Sequence, residues 1–563
     1  MHTTRMSNYL EEYLKFDIIS GVTVALIAIP QAMAYAIIAG VNPIYGLYTA
    51  IIPAIIGSLF ASSKYIITGP TNATAMVTAS VLFLYSEQAN YVEIVFVLAV
   101  LAGIIKIIIG LLGLGNFIKY VSNSVITGFL CGAGFLIILN QFGNILGIER
   151  IPGVGSLSVL LNIFNNLADT NIYILSVGII AMSILLVGKL INRKFPSALI
   201  SVLITSILVQ LTGWQNKGVV LIGDIDFIPS INLAFHLPAI NLSEVSFYIS
   251  SALALAIFSM VEAGSISKAI GLTTEQKVNP SREVIAQGVA SMIGGFFRCI
   301  PSSASPSRSA VNLSSGGKTR LSGVYSGMFI FIFLLTISGM IRYIPLSSLS
   351  AIIIISAISL INPENIKLIW NSRIVSRILL LATFLSTILL PVQYAIYIGV
   401  VLSVIIYLVE TSHIDITYLT QNDEGDFLEF KLEELFNKNP KIAIVNIGGS
   451  LYFGAVSDLE SKLEKILDGD TKIVILRLRR MKQLASTGIS SIESFVSKAN
   501  EQGVSIILCG VNEEIQSAIE KSGLQSIIGS EKTLKATPII FESTCDALSM
   551  AKEIYNSNKV AEN

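Results

Sequence analysis

The sequence predicts a polytopic α-helical membrane protein that ends in a smaller α/β domain. Three observations predict it. Of the 563 residues, 53% are hydrophobic and 13% charged, roughly half the charged share of an average soluble domain. Long apolar runs fill the chain to about Glu410, and beyond it Lys, Glu and Asp become frequent. Two polar segments that contain proline sit between apolar runs in the two halves of the apolar region: TGPTNATA at 68–75 and PSSASPSRSAVN at 301–312. Such paired interruptions mark the central site of a membrane transporter.

A spanning helix takes roughly 20 apolar residues. On that template, spans fall near 16–39, 44–60, 70–85, 92–112, 121–139, 172–191 and 196–211. A second set falls near 245–263, 284–300, 305–315 (a short one), 321–341, 346–361, 374–390 and 392–408. The total is about fourteen, or seven and seven. The longer connections at 140–171 and 212–244 have room for surface helices.

Lys and Arg set orientation through short loops. Lys64, Lys119, Lys189, Arg193, Lys194, Lys268, Lys277, Arg282, Lys318, Arg320, Lys367 and Arg373 fall on one side; Glu87, Asp169, Asp224, Asp226 and Glu244 fall on the other, with Arg150, Lys217, Arg298 and Arg342 as exceptions. This places the N-terminus and the polar tail in the cytoplasm of a multi-pass protein of the cell (inner) membrane. Ala32-Met33-Ala34 looks like a cleavage site, but Pro30-Gln31 interrupts its run and more membrane sequence follows, so the start is expected to be retained. By parity the third span runs outward and the tenth inward. Their N-termini then meet near the midplane, as in a 7+7 inverted repeat.

Composition also excludes functions. The net charge of +0 gives no argument for nucleic acid as a partner. Cys131, Cys299, Cys509 and Cys545 have no CxxC spacing and read as free thiols in a reducing compartment. His2, His236 and His413 are scattered. No metal spacing, nucleophile–base pair or phosphate loop is present, so neither an enzyme, a metal nor a cofactor is expected.

Helix N-termini carry unpaired N–H groups and about half a positive charge, so two that face each other attract an anion. Pro70 and Pro306 suit first helical turns. Thr71, Asn72, Ser305 and Ser307 supply side-chain donors, and Arg308, one turn further in, supplies a fixed charge. Close packing of small residues would account for the serines but not for an arginine at membrane depth. Glu262, in FSMVEAGS, is the second intramembrane charge. It reads as a coupling site for H+ or Na+, or alternatively as one half of a static ion pair. Gln31 beside Pro30 lines the same cavity or bonds carbonyls freed at the kink. Glu283 and Lys268, near span ends, read as solvated.

These residues carry a resemblance. Pro30-Gln31-Ala32-Met33-Ala34-Tyr35-Ala36, Ala39-Gly40, Gly46-Leu47-Tyr48 and Pro53 resemble the opening signature of the sulfate permease (SulP) family. So do Gly69-Pro70, the stretch from Ala304 to Asn312, and Leu321-Ser322-Gly323. Ala304 stands where the family usually has glycine. The resemblance implies core and gate domains, a homodimer, an anion between the third and tenth spans, and Glu262 as the coupling residue.

After Lys441, apolar strands alternate with amphipathic helices: IAIVNIGG, a helix at 456–467, KIVILRL, a helix at 487–500, VSIILCG and a helix at 513–522. This domain is similar to the STAS domain that ends many SulP proteins, including its Leu451-Tyr452-Phe453-Gly454 turn. The loop Ala485-Ser486-Thr487-Gly488 lacks the usual aspartate, which argues against nucleotide binding or a phosphoswitch and for a packing role. The expected organisation is a transmembrane domain at 1–411, a linker at 412–440 and the STAS-like domain at 441–555.

The first functional reading is secondary active transport of sulfate by alternating access, as a symporter with H+ or Na+. Bicarbonate or a dicarboxylate on the same frame is the second. A membrane-anchored regulator ranks last, because an anchor needs neither Arg308 nor Glu262.

Overall fold

The computed structural model describes residues 9–84, 91–115, 121–148, 156–191, 195–225, 233–238, 245–412, 414–451 and 456–561. Loop charges Glu87, Lys119, Arg150, Arg193, Lys194, Asp226 and Glu244, and the turn residues Tyr452 to Gly454, lie outside them. The chain divides into two compact units, Met1–Ser403 and Val404–Asn563.

In chain order the first unit begins with α1 (Leu14–Ala39), α2 (Pro43–Phe60), a two-residue strand β1 (Thr68–Gly69), α3 (Asn72–Leu84), α4 (Tyr91–Leu111) and α5 (Asn123–Leu146). It continues through α6 (Ser156–Asn165), α7 (Ile172–Ile191), α8 (Ser197–Thr212), the short α9 (Ile222–Ile225), α10 (Val245–Thr274) and α11 (Pro280–Gly295). Then come β2 (Ser303–Ala304), α12 (Pro306–Ser314), α13 (Leu321–Ile341), α14 (Leu346–Ile358), α15 (Pro363–Trp370), α16 (Ile374–Leu389) and α17 (Val392–Ser412), which runs into the second unit. Among the described residues, seven helices are long and apolar enough to cross a membrane, accompanied by five shorter apolar helices.

Small residues let these helices approach closely. At the crossing of α4 and α11, a Cβ on Gly103 would lie 2.5 Å from the Met292 amide nitrogen, and one on Gly288 2.8 Å from the Gly103 carbonyl. Between apolar helices such contact replaces the hydrophobic drive that lipid cannot supply. Polar ties complete the frame. Asp17, fully buried in α1, accepts from the backbone N–H groups of Lys318 (2.7 Å) and Thr319 (3.0 Å).

Three details correct the sequence reading. α10 continues well past Ala263, which places Glu262 in the helix interior. Pro70 lies outside its helix, which starts at Asn72 after an extended approach, whereas Pro306 is the first residue of α12 with Ser305 as its N-cap. Glu283 is buried, 1% exposed. Its carboxylate accepts from the Ser62 (3.0 Å) and Ser63 (3.2 Å) backbone N–H groups. Those donors belong to the turn after α2, and their need for an acceptor keeps this carboxylate inside.

The second unit holds β3 (Asp415–Gln421), β4 (Phe427–Lys431), α18 (Leu432–Lys438), β5 (Ile442–Leu451), α19 (Val456–Leu467), β6 (Ile473–Leu484) and α20 (Ser486–Glu501). It ends with β7 (Ser505–Val511), α21 (Glu513–Ser522), α22 (Leu524–Ile528), β8 (Thr533–Lys535) and α23 (Glu542–Ala561). One sheet runs β4-β3-β5-β6-β7-β8, with β5 to β8 parallel and the β3–β4 hairpin antiparallel at its edge. That hairpin falls within the stretch expected as a linker. Burial alternates from Asp415 to Tyr418 of β3, and Leu419 beyond them is buried on the other face. One face of the sheet packs an extended apolar core that includes Leu459, Leu463, Ile492 and Ile515; the other packs Ala547 and Ala551 of α23.

Candidate functional site

The site is assembled where β1 and β2 pair antiparallel, Thr68 opposite Ala304 and Gly69 opposite Ser303. The Ser305 backbone N–H extends the pairing by donating to the Ile67 carbonyl at 2.9 Å. Each strand enters its helix within a few residues, so the starts of α3 and α12 are held together by main-chain bonds.

Beside them lies a cavity of about 320 Å³. Gln31, Thr71, Asn72, Glu262, Ser305 and Ser307 all line it. The structure thus brings together six of the seven residues singled out from sequence. Ser307 Oγ donates to Gln31 Oε1 at 3.4 Å and lies 3.5 Å from Ser305 Oγ. Thr71 Oγ1 donates to Glu262 Oε2 at 3.2 Å. Asn72 keeps a buried side-chain oxygen without a hydrogen-bond partner.

The seventh residue, Arg308, does not line this cavity. It is 1% exposed, and Nε, Nη1 and Nη2 all lack a hydrogen-bond partner. Its guanidinium is seated against Gly69, where an added Cβ would stand 2.0 Å from Nη1. Burying an unpaired charge is costly, and burying three unused donors adds to the cost. Glu262 supplies none of the missing hydrogen bonds.

Lys106 was missed from sequence. It is 1% exposed in α4, and Nζ donates to the Ser302 carbonyl (2.9 Å) and to Ser259 Oγ (3.3 Å). Its signal was a lone lysine in the apolar run LAGIIKIIIG, a charge at membrane depth of the kind that marks function. Tyr35, Thr127, Ser356, Asn362 and Asn365 also line the cavity. They reach it from α1, α5 and the region of α14 and α15, and no local pattern announces them.

A wall of hydroxyls and amides, one carboxylate and an unpartnered guanidinium close behind suit a small oxyanion. Hydroxyl and amide groups of this kind can donate to oxyanion oxygens, and a guanidinium can supply charge.

The model of the Sulfate permease family matches residues 14–383, and that of the STAS domain residues 435–538. Sulfate transporter 3.2 of Arabidopsis thaliana is 26% identical over 560 residues, covering 93% of this chain and 85% of that protein. Murine Solute Carrier 26 family member A9, an anion transporter solved in the inward-facing state, has a similar fold. The TM-score is 0.83 at 20% identity, over 96% of this chain and 92% of that one. The transmembrane domain of the cyanobacterial bicarbonate transporter BicA gives a TM-score of 0.60 at 23% identity, over 69% of this chain and 97% of that one.

Proposed function

The chain belongs to the Sulfate permease family, and from that premise we propose that it is a secondary active transporter of sulfate, driven by H+ or Na+ through alternating access. That it is a membrane anion transporter follows from the family and from its apolar helices; the cargo and the coupling are the proposal. One observation carries it: Arg308 is buried with every guanidinium nitrogen unpartnered, close to a cavity rimmed by Thr71, Asn72, Ser305 and Ser307. A doubly charged oxyanion offers the counter-charge and the acceptors that the Arg308 guanidinium lacks.

Glu262 is the coupling residue of this proposal. It faces the same cavity and bonds Thr71 at the start of α3, so neutralising it by a proton, or screening it by Na+, would change the field felt by the anion. Gln31 orients Ser307. The seven-plus-seven inverted repeat is supported by the antiparallel pairing of β1 with β2. A cytoplasmic N-terminus and STAS domain are supported by the lysine and arginine bias of the loops, and a homodimer by the family resemblance. Transport belongs to the helical region, 1–411, and a packing role to the domain at 441–555. Bicarbonate is the second reading, because BicA, a bicarbonate transporter, shares the fold.

The test is uptake of labelled sulfate into proteoliposomes under an imposed proton or sodium gradient, with bicarbonate and fumarate as competitors. Accumulation under one gradient identifies both cargo and ion. Uptake of a competitor in place of sulfate replaces the cargo, and no uptake of any anion overturns the proposal.

A further inference from the structure

The second unit contains a cavity of about 460 Å³ lined by Leu419, Phe427, Glu429, Asn446, Arg477, Arg479, Arg480, Ile540 and Phe541. Its cations come from one strand segment, RLRR in β6. In a regular strand, successive side chains alternate faces, which would put Arg477 and Arg479 on one side and Arg480 on the other. The pairing with β5 is irregular here: Asn446 faces Arg477, and Gly448, two residues on, faces Arg480, three residues on. This extra residue is a bulge. Leu478 and Met481 stay in the apolar core of the opposite face, and all three arginines reach the cavity.

Charge in this cavity does not balance. Arg480 forms a two-pronged bond with Glu429, at 2.6 and 3.1 Å. Arg477, 3% exposed, has only neutral acceptors: Thr544 Oγ1 (3.1 Å), Asn446 Oδ1 (2.8 Å) and the Ile540 carbonyl (3.1 Å). Arg479 donates one bond, from Nη1 to the Thr537 carbonyl at 2.8 Å, out of the five N–H groups its fork carries. Burial lowers the Arg477 pKa, and Arg479 and Arg480 lower it further, against Cys509 and Glu429, which raise it. Three guanidinium groups and one carboxylate, Glu429, thus line the cavity, which leaves two positive charges in excess. The apolar part of the wall is also built: Phe427 and Phe541 stack with ring centres 4.7 Å apart, and Arg477 lies over Phe541 at 4.9 Å.

We propose that this cavity binds a doubly charged oxyanion group, phosphate or sulfate, free or carried on a small apolar or aromatic body. Arg479 and Arg477 supply the charge, Arg480 is held to one side by Glu429, and the body rests on Leu419, Phe427 and Ile540. The volume lies within the small-molecule range of about 300–1,000 Å³, well beyond what a bare oxyanion fills. The site lies on a different face of the domain from the helix that starts at Ser486, so it does not depend on the aspartate missing at Ala485.

The test is calorimetric titration of the purified full-length protein with phenyl phosphate and, separately, inorganic phosphate at low ionic strength. The expected result is saturable one-site binding that persists in Arg308→Ala and weakens by about tenfold or more in Arg479→Gln, the loss expected when a hydrogen bond to a charged group is removed. Tighter binding of phenyl phosphate supports an organic ligand, and equal binding supports the free oxyanion. Arg480→Gln, at an exposed position, decides the matter if Arg479→Gln does not fold: it leaves the Glu429 carboxylate unpaired in the lining, so binding should weaken there too. The proposal is overturned by no saturable heat with either probe, by loss of binding in Arg308→Ala, or by wild-type affinity in folded Arg479→Gln and Arg480→Gln.

Discussion

Gly69 and Arg308 fit each other so closely that the smallest side chain at position 69 would displace the guanidinium: a Cβ there would stand 2.0 Å from Nη1. The expected outcome for Gly69→Ala is a folded protein whose sulfate uptake falls by about a hundredfold, the scale of loss for a group misplaced by an ångström. Arg308→Ala should abolish saturable sulfate uptake. Uptake into proteoliposomes, measured on the two variants in parallel, checks both, and wild-type uptake in either removes Arg308 from the site.

Glu262→Gln keeps the hydrogen bond to Thr71 within reach but removes the charge. Uptake by this variant should no longer respond to the imposed proton or sodium gradient, while exchange of sulfate across the membrane continues. Full gradient-driven accumulation would show that the carboxylate is only structural.

Glu283→Ala should lower stability by about 1–3 kcal/mol for each buried N–H left without an acceptor. The donors at risk are those of Ser62 and Ser63. Gln287, which bonds both Glu283 Oε1 and Thr68 Oγ1, transmits the change to β1, so sulfate affinity should fall as well. Thermal melting in detergent, read beside a binding isotherm, separates the two effects.

Ala485 occupies the N-cap of α20 and provides no side-chain acceptor for the first turn. Ala485→Asp should therefore stabilise that helix by about 0.5–2 kcal/mol. A higher melting temperature for the second unit in calorimetry of the full chain is the expected result; no change would mean that the exposed N–H groups are already satisfied by water.

Much of the site could be read in advance because its residues cluster around two proline-bearing interruptions, and polar residues stand out against an apolar background. Thr71, Asn72, Ser305 and Ser307 were visible for that reason. Lys106 sits in an otherwise unbroken apolar run, where a single charge does not disturb the helical pattern. Glu283 sits near a helix terminus, a place where carboxylates usually meet water; only the fold shows that two backbone donors of the turn after α2 need it. The β3–β4 hairpin was hidden by its polar edge composition, since strands that are half exposed read much like linker. The three arginines of β6 converge only because of a bulge in its pairing with β5, and a bulge depends on a partner strand far away in sequence.

The pairing of β1 with β2 has one more consequence, for how such a protein can change over generations. The clasp that joins the two halves of the cradle consists of backbone amides and carbonyls, from Thr68 opposite Ala304 to Ser305 on Ile67. Every non-proline residue carries those groups, so replacing a side chain does not by itself undo the clasp. Hydroxyls and amides around it can be exchanged one at a time, and the frame survives each exchange. Preference among anions is free to drift on a scaffold that does not have to be reinvented.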